Sequence, residues 1–369
     1  YTIFKGEYAV KRYFKKLLIL FLALGVLASC SKKQEEKTSE KQTEQKKENT
    51  TTKQVNKQTV FVDADYVKDV IDGKNADSKK FVIAEVSWGE TKDSPDYLQN
   101  HIKGAIHINT DTVEKEPVWN FRNPEELKKG LLNYGIDKDT VVILYGQNTG
   151  CARVATAYLY AGVENVKILN GGLKSWTDKN YPVEKEETKP TPITDFKTKI
   201  PAHPEYITSI ETVKEKLGKD DNFQLISIRS ENEWLGKESG YTYIPRAGEP
   251  KGALWGKAGH DKQSMDAYTD KDGKYKDFSE IKKMWEEQGI STKKQLAFYC
   301  GTGWRGSVAF LIAHENGLNA SLYDGGWNEW QMNDELPVQI GDPKSKDVEY
   351  KKVGDLPKDK ASKDPSCKD

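Results

Sequence analysis

The residues best placed to do chemistry in this 369-residue chain lie in one short stretch, Cys300-Gly301-Thr302-Gly303-Trp304-Arg305. A free thiol, with a pKa of about 8.5, is a poor nucleophile at neutral pH, and a helix N-terminus or a nearby cation lowers that value. The apolar run Leu296–Tyr299 before the cysteine reads as a buried strand. From about Gly306 the spacing of Val308, Leu311 and Ile312 predicts a helix that stops at Gly317. Cys300 is therefore expected between a strand end and a helix start, where unpaired N–H groups and the helix dipole favour an anion. Gly301 and Gly303 let the backbone curl so that several N–H groups converge. Arg305 adds a permanent positive charge that can hold an anionic donor, and Trp304 can wall the site from water or pack on a neighbouring domain. The pattern predicts covalent catalysis by an activated thiol. Free cysteine is often an inert core residue, but such a residue has no use for a glycine-rich loop closed by arginine.

Other chemistries find less support. Cys30, Cys151 and Cys367 are far from Cys300 and from one another, with no CxxC pair; the five histidines fall in no HExxH frame, so neither metal nor cofactor is expected. Lys plus Arg and Asp plus Glu are equal at 57 each, so no net charge points to nucleic acid or an acidic partner. A cysteine-dependent phosphatase remains the weaker alternative. Its Cys-x5-Arg cradle is one residue wider than the spacing from Cys300 to Arg305, and Tyr299, not histidine, precedes the cysteine.

Two copies of one pattern position this loop. Residues 141–176 align without gaps on 295–330: Tyr145 meets Tyr299, Val154-Ala155 meets Val308-Ala309, Gly171-Gly172 meets Gly325-Gly326, and Trp176 meets Trp330. Each copy reads strand, loop, helix, strand, and each has an upstream strand (81–86 and 223–229) and a Lys-Gly-Ala turn (103–105 and 251–253). The expected fold is α/β, two tandem domains at 59–183 and 201–340, each a parallel sheet flanked by helices. Residues 184–200 are expected as a linker and 341–369 as a loose polar tail. Gly146 stands where the second copy has Cys300, so the first copy lacks the nucleophile. Cys151 falls opposite Arg305 and is expected as a buried free thiol.

The N-terminus reads as an address. Lys11–Lys16 is a basic region, Leu17–Leu27 is an apolar run too short to span a bilayer, and Leu27-Ala28-Ser29-Cys30 matches a lipoprotein signal with Cys30 as the lipidated residue. Residues 31–58 are polar enough to form a disordered tether. No methionine precedes Met265, and Val10 is a candidate initiator. These features predict an extracytoplasmic protein held to a membrane by two acyl chains, on the periplasmic side or the cell surface.

The motifs resemble the rhodanese superfamily over roughly residues 58–337, through Ile228-Arg229-Ser230, Lys251-Gly252-Ala253, the Cys300–Arg305 loop and Asp324-Gly-Gly-x3-Trp330. The resemblance implies that Cys300 accepts a sulfane sulfur from a small anionic donor, holds it as a persulfide and passes it to a thiophilic acceptor. It also implies that Arg229, and as a second candidate Arg246, bind the donor's anionic group together with Arg305. Ser227 replaces the family's usual aspartate and Glu249 its usual histidine. The loop mixes features of thiosulfate and 3-mercaptopyruvate sulfurtransferases, so the donor stays open between them. A persulfide carrier without efficient turnover is the main alternative, and a binding lipoprotein without sulfur chemistry is a third reading.

Overall fold

The computed structural model describes residues 60–363; the lipobox with Cys30, the tether and Cys367 lie outside the described residues. Two five-stranded parallel sheets form the framework. The first contains β1 (Phe61–Val62), β2 (Phe81–Ser87), β3 (Ile106–Asn109), β4 (Val141–Gly146) and β5 (Asn165–Leu169), in the order β1-β5-β4-β2-β3. The second contains β6 (Ile207–Thr208), β7 (Phe223–Ser227), β8 (Leu254–Trp255), β9 (Gln295–Tyr299) and β10 (Ala320–Tyr323), in the order β6-β10-β9-β7-β8. The second order repeats the first, strand for strand, as the duplication predicts.

Parallel strands covered on both faces are apolar at every position, because successive side chains point to opposite sides. In β4, Val142 and Leu144 enter one core while Val141, Ile143 and Tyr145 enter another. In β9, Leu296 and Phe298 face one core and Ala297 and Tyr299 the other. The helices that cover these faces include α1 (Ala64–Ile71), α2 (Pro124–Asn133), α3 (Asn148–Ala161), α4 (Phe278–Glu287), α5 (Trp304–Glu315) and α6 (Gly326–Trp330). Helix α2 starts on a capping box, with Asn123 bonded to the Glu126 N–H and the Glu126 carboxylate returning to Asn123.

Helices α3 and α5, the equivalent helices of the two copies, are buried nearly all round. They pack against each other, so one continuous core runs through both domains. A short hairpin of the first domain, Glu114–Lys115 paired with Asn120–Phe121, reaches across to the second. There the Phe121 N–H donates to the Asp324 carboxylate at 2.7 Å, and the Asn328 side chain donates to the Pro117 and Val118 carbonyls at 3.2 Å.

The linker 184–200 joins the two domains and is docked on the first: Val183–Glu184 pairs with His101–Ile102, the Ile193 N–H donates to the Leu132 carbonyl, and Phe196 is fully buried. The expectation for the C-terminal segment is corrected. Residues beyond 341 are not a loose tail, since Glu349–Lys352 pairs antiparallel with Pro337–Ile340 and Val353 and Leu356 are buried. In both segments isolated apolar residues act as anchors within a polar sequence.

Candidate active site

Cys300 follows β9, and helix α5 begins four residues later. Its sulfur accepts the Gly303 N–H at 3.2 Å. Helix α6 takes up the loop carbonyls: the Trp327 N–H donates to the Cys300 carbonyl at 2.8 Å and the Asn328 N–H to that of Gly301 at 2.9 Å. Helix α5 starts at Trp304, two residues before the expected start, because Gly303 adopts φ +96° at its N-cap. A Cβ on Gly303 would stand 2.5 Å from Arg153 Nη1, and one on Gly301 would stand 2.1 Å from the Tyr241 ring, so both positions need glycine for space.

The structure places the three arginines differently from expectation. Arg305 is fully buried, and its guanidinium is bidentate to Glu233 at 2.7 and 2.8 Å, with further bonds to the Asp261 carbonyl and the Tyr241 hydroxyl. Arg229 is also fully buried, donating to Glu233, Glu249 and the carbonyls of Gly248 and Ser239. Arg246 donates to the Gln331 carbonyl and to Asp334. Carboxylates and carbonyls engage all three arginines expected to meet a donor, buried carboxylates at Arg229 and Arg305 and the exposed Asp334 at Arg246. Arg305 remains beside the loop as a charged brace. Burial works to raise the Glu233 carboxyl, but Arg305 and Arg229 outweigh it and hold it down to about 2. Burial pushes Glu249 up to about 7 against the pull of Arg229, and the Tyr299 hydroxyl donates to it.

A cleft of about 260 Å³ opens between the Cys300 loop and the first domain. Thr302 and Trp304 line it from the loop. Tyr241 and Tyr243 add to the wall from the second domain, and Trp88 and Trp119 from the first. Asp93, Asp96 and Glu114 give it acidic character, with Lys262 as a lining cation. Cys300 itself is fully buried and is not among the residues that line the cleft.

Sequence reasoning missed the first domain's share of the site. Glu114 is buried, accepting the Trp304 indole N–H at 2.6 Å and the Arg153 Nε–H at 2.7 Å. Burial pushes it up to about 7 although Arg153 opposes the shift. Arg153 also donates to the carbonyl of Trp119, a residue at φ +67°, and pairs with Asp324 at 2.6 Å. The legible signal was Arg153 itself, the one charged residue within helix α3. The first copy's matching position, Gly146, has no room for a side chain. A Cβ on Gly146 would meet the Val86 carbonyl at 2.6 Å and Glu85 Oε1 at 2.9 Å, and Glu85 lies 2.7 Å from His107. Cys151 is a free, buried residue of α3.

This arrangement, a cysteine in a tight amide loop on the second of two like α/β domains, defines a class, and comparison with known proteins agrees. Residues 63–179 and 209–333 each match the rhodanese-like domain, and the chain belongs to that family as a tandem-domain sulfurtransferase homologue. It is 41% identical over 285 residues to the thiosulfate sulfurtransferase YnjE of Escherichia coli, covering 75% of this chain but only 64% of that protein. The crystal structure of YnjE superposes with a TM-score of 0.72, 40% identity, and coverage of 76% and 68% of the two chains. An anaerobic ergothioneine biosynthesis enzyme from Chlorobium limicola, solved with trimethyl histidine, gives 0.73 at 38% identity over 77% of this chain and 70% of that one. A persulfide-bearing form of EanB solved with ergothioneine gives 0.73 at 37% identity, covering 77% and 71%.

Proposed function

We propose that the chain moves sulfane sulfur from thiosulfate, or a related donor such as 3-mercaptopyruvate, to a thiophilic acceptor through a Cys300 persulfide. The observation that carries this reading is the Cys300 sulfur, held at the start of helix α5 with the Gly303 N–H on it. The Cys300 thiolate attacks the outer sulfur of thiosulfate. A new S–S bond forms while the bond to the sulfonate sulfur breaks, and its electron pair leaves on sulfite. The acceptor then takes the terminal sulfur, and the electron pair returns to Cys300.

The cleft favours a particular acceptor class. Aromatic faces and acidic side chains at its wall suit a compact organic cation better than an anion. The similar structures include complexes with hercynine and trimethyl histidine. Among the EanB forms, the substituted tyrosine precedes the persulfide cysteine by the same number of residues as Tyr241 precedes Cys300. A substituted threonine follows that cysteine as Thr302 follows Cys300. The second reading is therefore transfer to the ring carbon of a histidine betaine: that carbon gains the sulfur and releases its proton, and the electron pair returns to Cys300.

One experiment tests both readings. Thiosulfate should add the mass of one sulfur to the wild-type chain and none to C300S. Cyanide should then discharge the loaded protein to thiocyanate, and hercynine should discharge it to ergothioneine if the second reading holds. Sulfur uptake by C300S would reject the assignment, whereas uptake without discharge to any acceptor would leave a carrier. We also propose that Cys30 is lipidated and holds the protein on a membrane outside the cytoplasm. In a bacterial host, labelled palmitate should enter the wild-type precursor and not C30S, and equal labelling would reject the anchor.

A further inference from the structure

We propose that Glu114, from the domain that lacks a nucleophile, is a positioning residue for the Cys300 loop and acts through Trp304. The proposal rests on the persulfide reading of that loop. Glu114 is 2% exposed, and each of its oxygens is engaged: Oε1 by the Trp304 indole at 2.6 Å and Oε2 by Arg153 Nε at 2.7 Å. Arg153 lies against the other side of the same turn, where Gly303 has no room for a side chain. The guanidinium is fixed in its turn by Asp324, by the Trp119 carbonyl and by the Phe121 ring, whose centroid lies 3.9 Å away. Two first-domain side chains thus bracket Gly303 and Trp304. Gly303 supplies the N–H that meets the Cys300 sulfur, and Trp304 opens helix α5.

The chemistry of this clamp argues for placement over adhesion. Two carboxylates, Glu114 and Asp324, share one buried guanidinium, and burying charge in this way is expensive compared with an apolar contact of the same volume. A charge-assisted bond to the indole is directional, so it fixes the ring's orientation as well as its position. Releasing the indole frees both the cleft wall and the first turn of α5. Small misplacements of this kind slow group transfer strongly without altering encounter with the donor.

The test uses the full chain and the variants E114A, W304F, E114A/W304F and E114Q. Each is loaded with thiosulfate, followed by intact mass, and discharged with cyanide in a single turnover. E114A and W304F should each slow discharge by about 10-fold or more, with the half-saturating thiosulfate concentration changed by less than about threefold. The double variant should be no slower than the slower single, because both substitutions break the same bond. In E114Q the amide oxygen can still accept from the indole but the amide nitrogen cannot accept from Arg153 Nε, so discharge should be faster than in E114A and slower than in the wild type. If E114A does not fold, W304F reads the same bond from its other end. Discharge of W304F at the wild-type rate, or multiplication of the two single effects in the double variant, would overturn the proposal alone. A wild-type chain that takes up no sulfur would overturn the persulfide reading and this proposal with it.

Discussion

Glu233 lies between two arginines, taking the Arg305 guanidinium on both oxygens and the Arg229 Nε at 3.1 Å, while Glu249 takes Arg229 from its other side at 2.8 Å. Removing one charge from such a set leaves buried cations uncompensated, and E233Q should destabilise the fold by about 3–5 kcal/mol. The pH dependence follows from the direction of the shift. The Glu233 carboxyl titrates at about 2 in the folded chain, below the ordinary value for an unfolded glutamate. Its contribution is full above that unfolded value and is lost as pH falls towards about 2. Melting temperature should therefore fall more steeply with acid in the wild type than in E233Q; parallel acid limbs in the two proteins would refute the assignment. The same set shows what the site's residue types could and could not disclose. Cys300, its glycines and its place before a helix were legible, because strand, loop and helix are consecutive. The partner of Arg305 was not, because Glu233 lies on another element and an arginine's charge does not name its counterion.

At the scale of elements, the strands and the duplication were legible for a physical reason. Sheets covered on both faces need unbroken apolar runs such as Val141–Tyr145 and Leu296–Tyr299, and those runs stand out in a chain otherwise rich in charge. Helix α5 was found but placed two residues late: Gly303 at positive φ lets Trp304 and Arg305 join the first turn while their side chains leave for Glu114 and Glu233. The docked segments escaped notice because each depends on one or two anchors. Phe196 and Ile200 sit among charged neighbours, as do Val353 and Leu356, and neither pair makes a periodic pattern. The Glu114–Phe121 hairpin escaped for a related reason. Its strands are two residues long, too short for alternation to show, yet they carry Glu114 to Trp304 and Phe121 to Asp324 of the second domain.

At the scale of the molecule, the duplication has been put to a new use. The first copy has no room for a side chain at Gly146, the position matching Cys300, since Glu85 and the Val86 backbone fill the space beside it. What it retains is α3, packed along α5, and the hairpin that completes the cleft. Helix α5 is apolar or buried through nine of its residues, from Arg305 to Ala313, and α3 is similar, so neither has a face suited to water. Fully burying each large apolar side chain stabilises by about 1.5–3 kcal/mol. A handful of them at the shared core therefore matches the whole stability of an ordinary domain, about 5–15 kcal/mol. Separating the domains would forfeit that burial and leave Arg153 facing water without Asp324. The two copies should consequently unfold as one unit, despite being independent repeats in sequence. Calorimetry on the chain from about residue 60 should show a single transition whose calorimetric and van't Hoff enthalpies agree. Loss of near-ultraviolet ellipticity should coincide with that transition. Two resolved transitions, or a calorimetric enthalpy about twice the van't Hoff value, would mean that the α3–α5 contact only joins two self-sufficient domains, and Glu114 could then leave Trp304 without the fold opening.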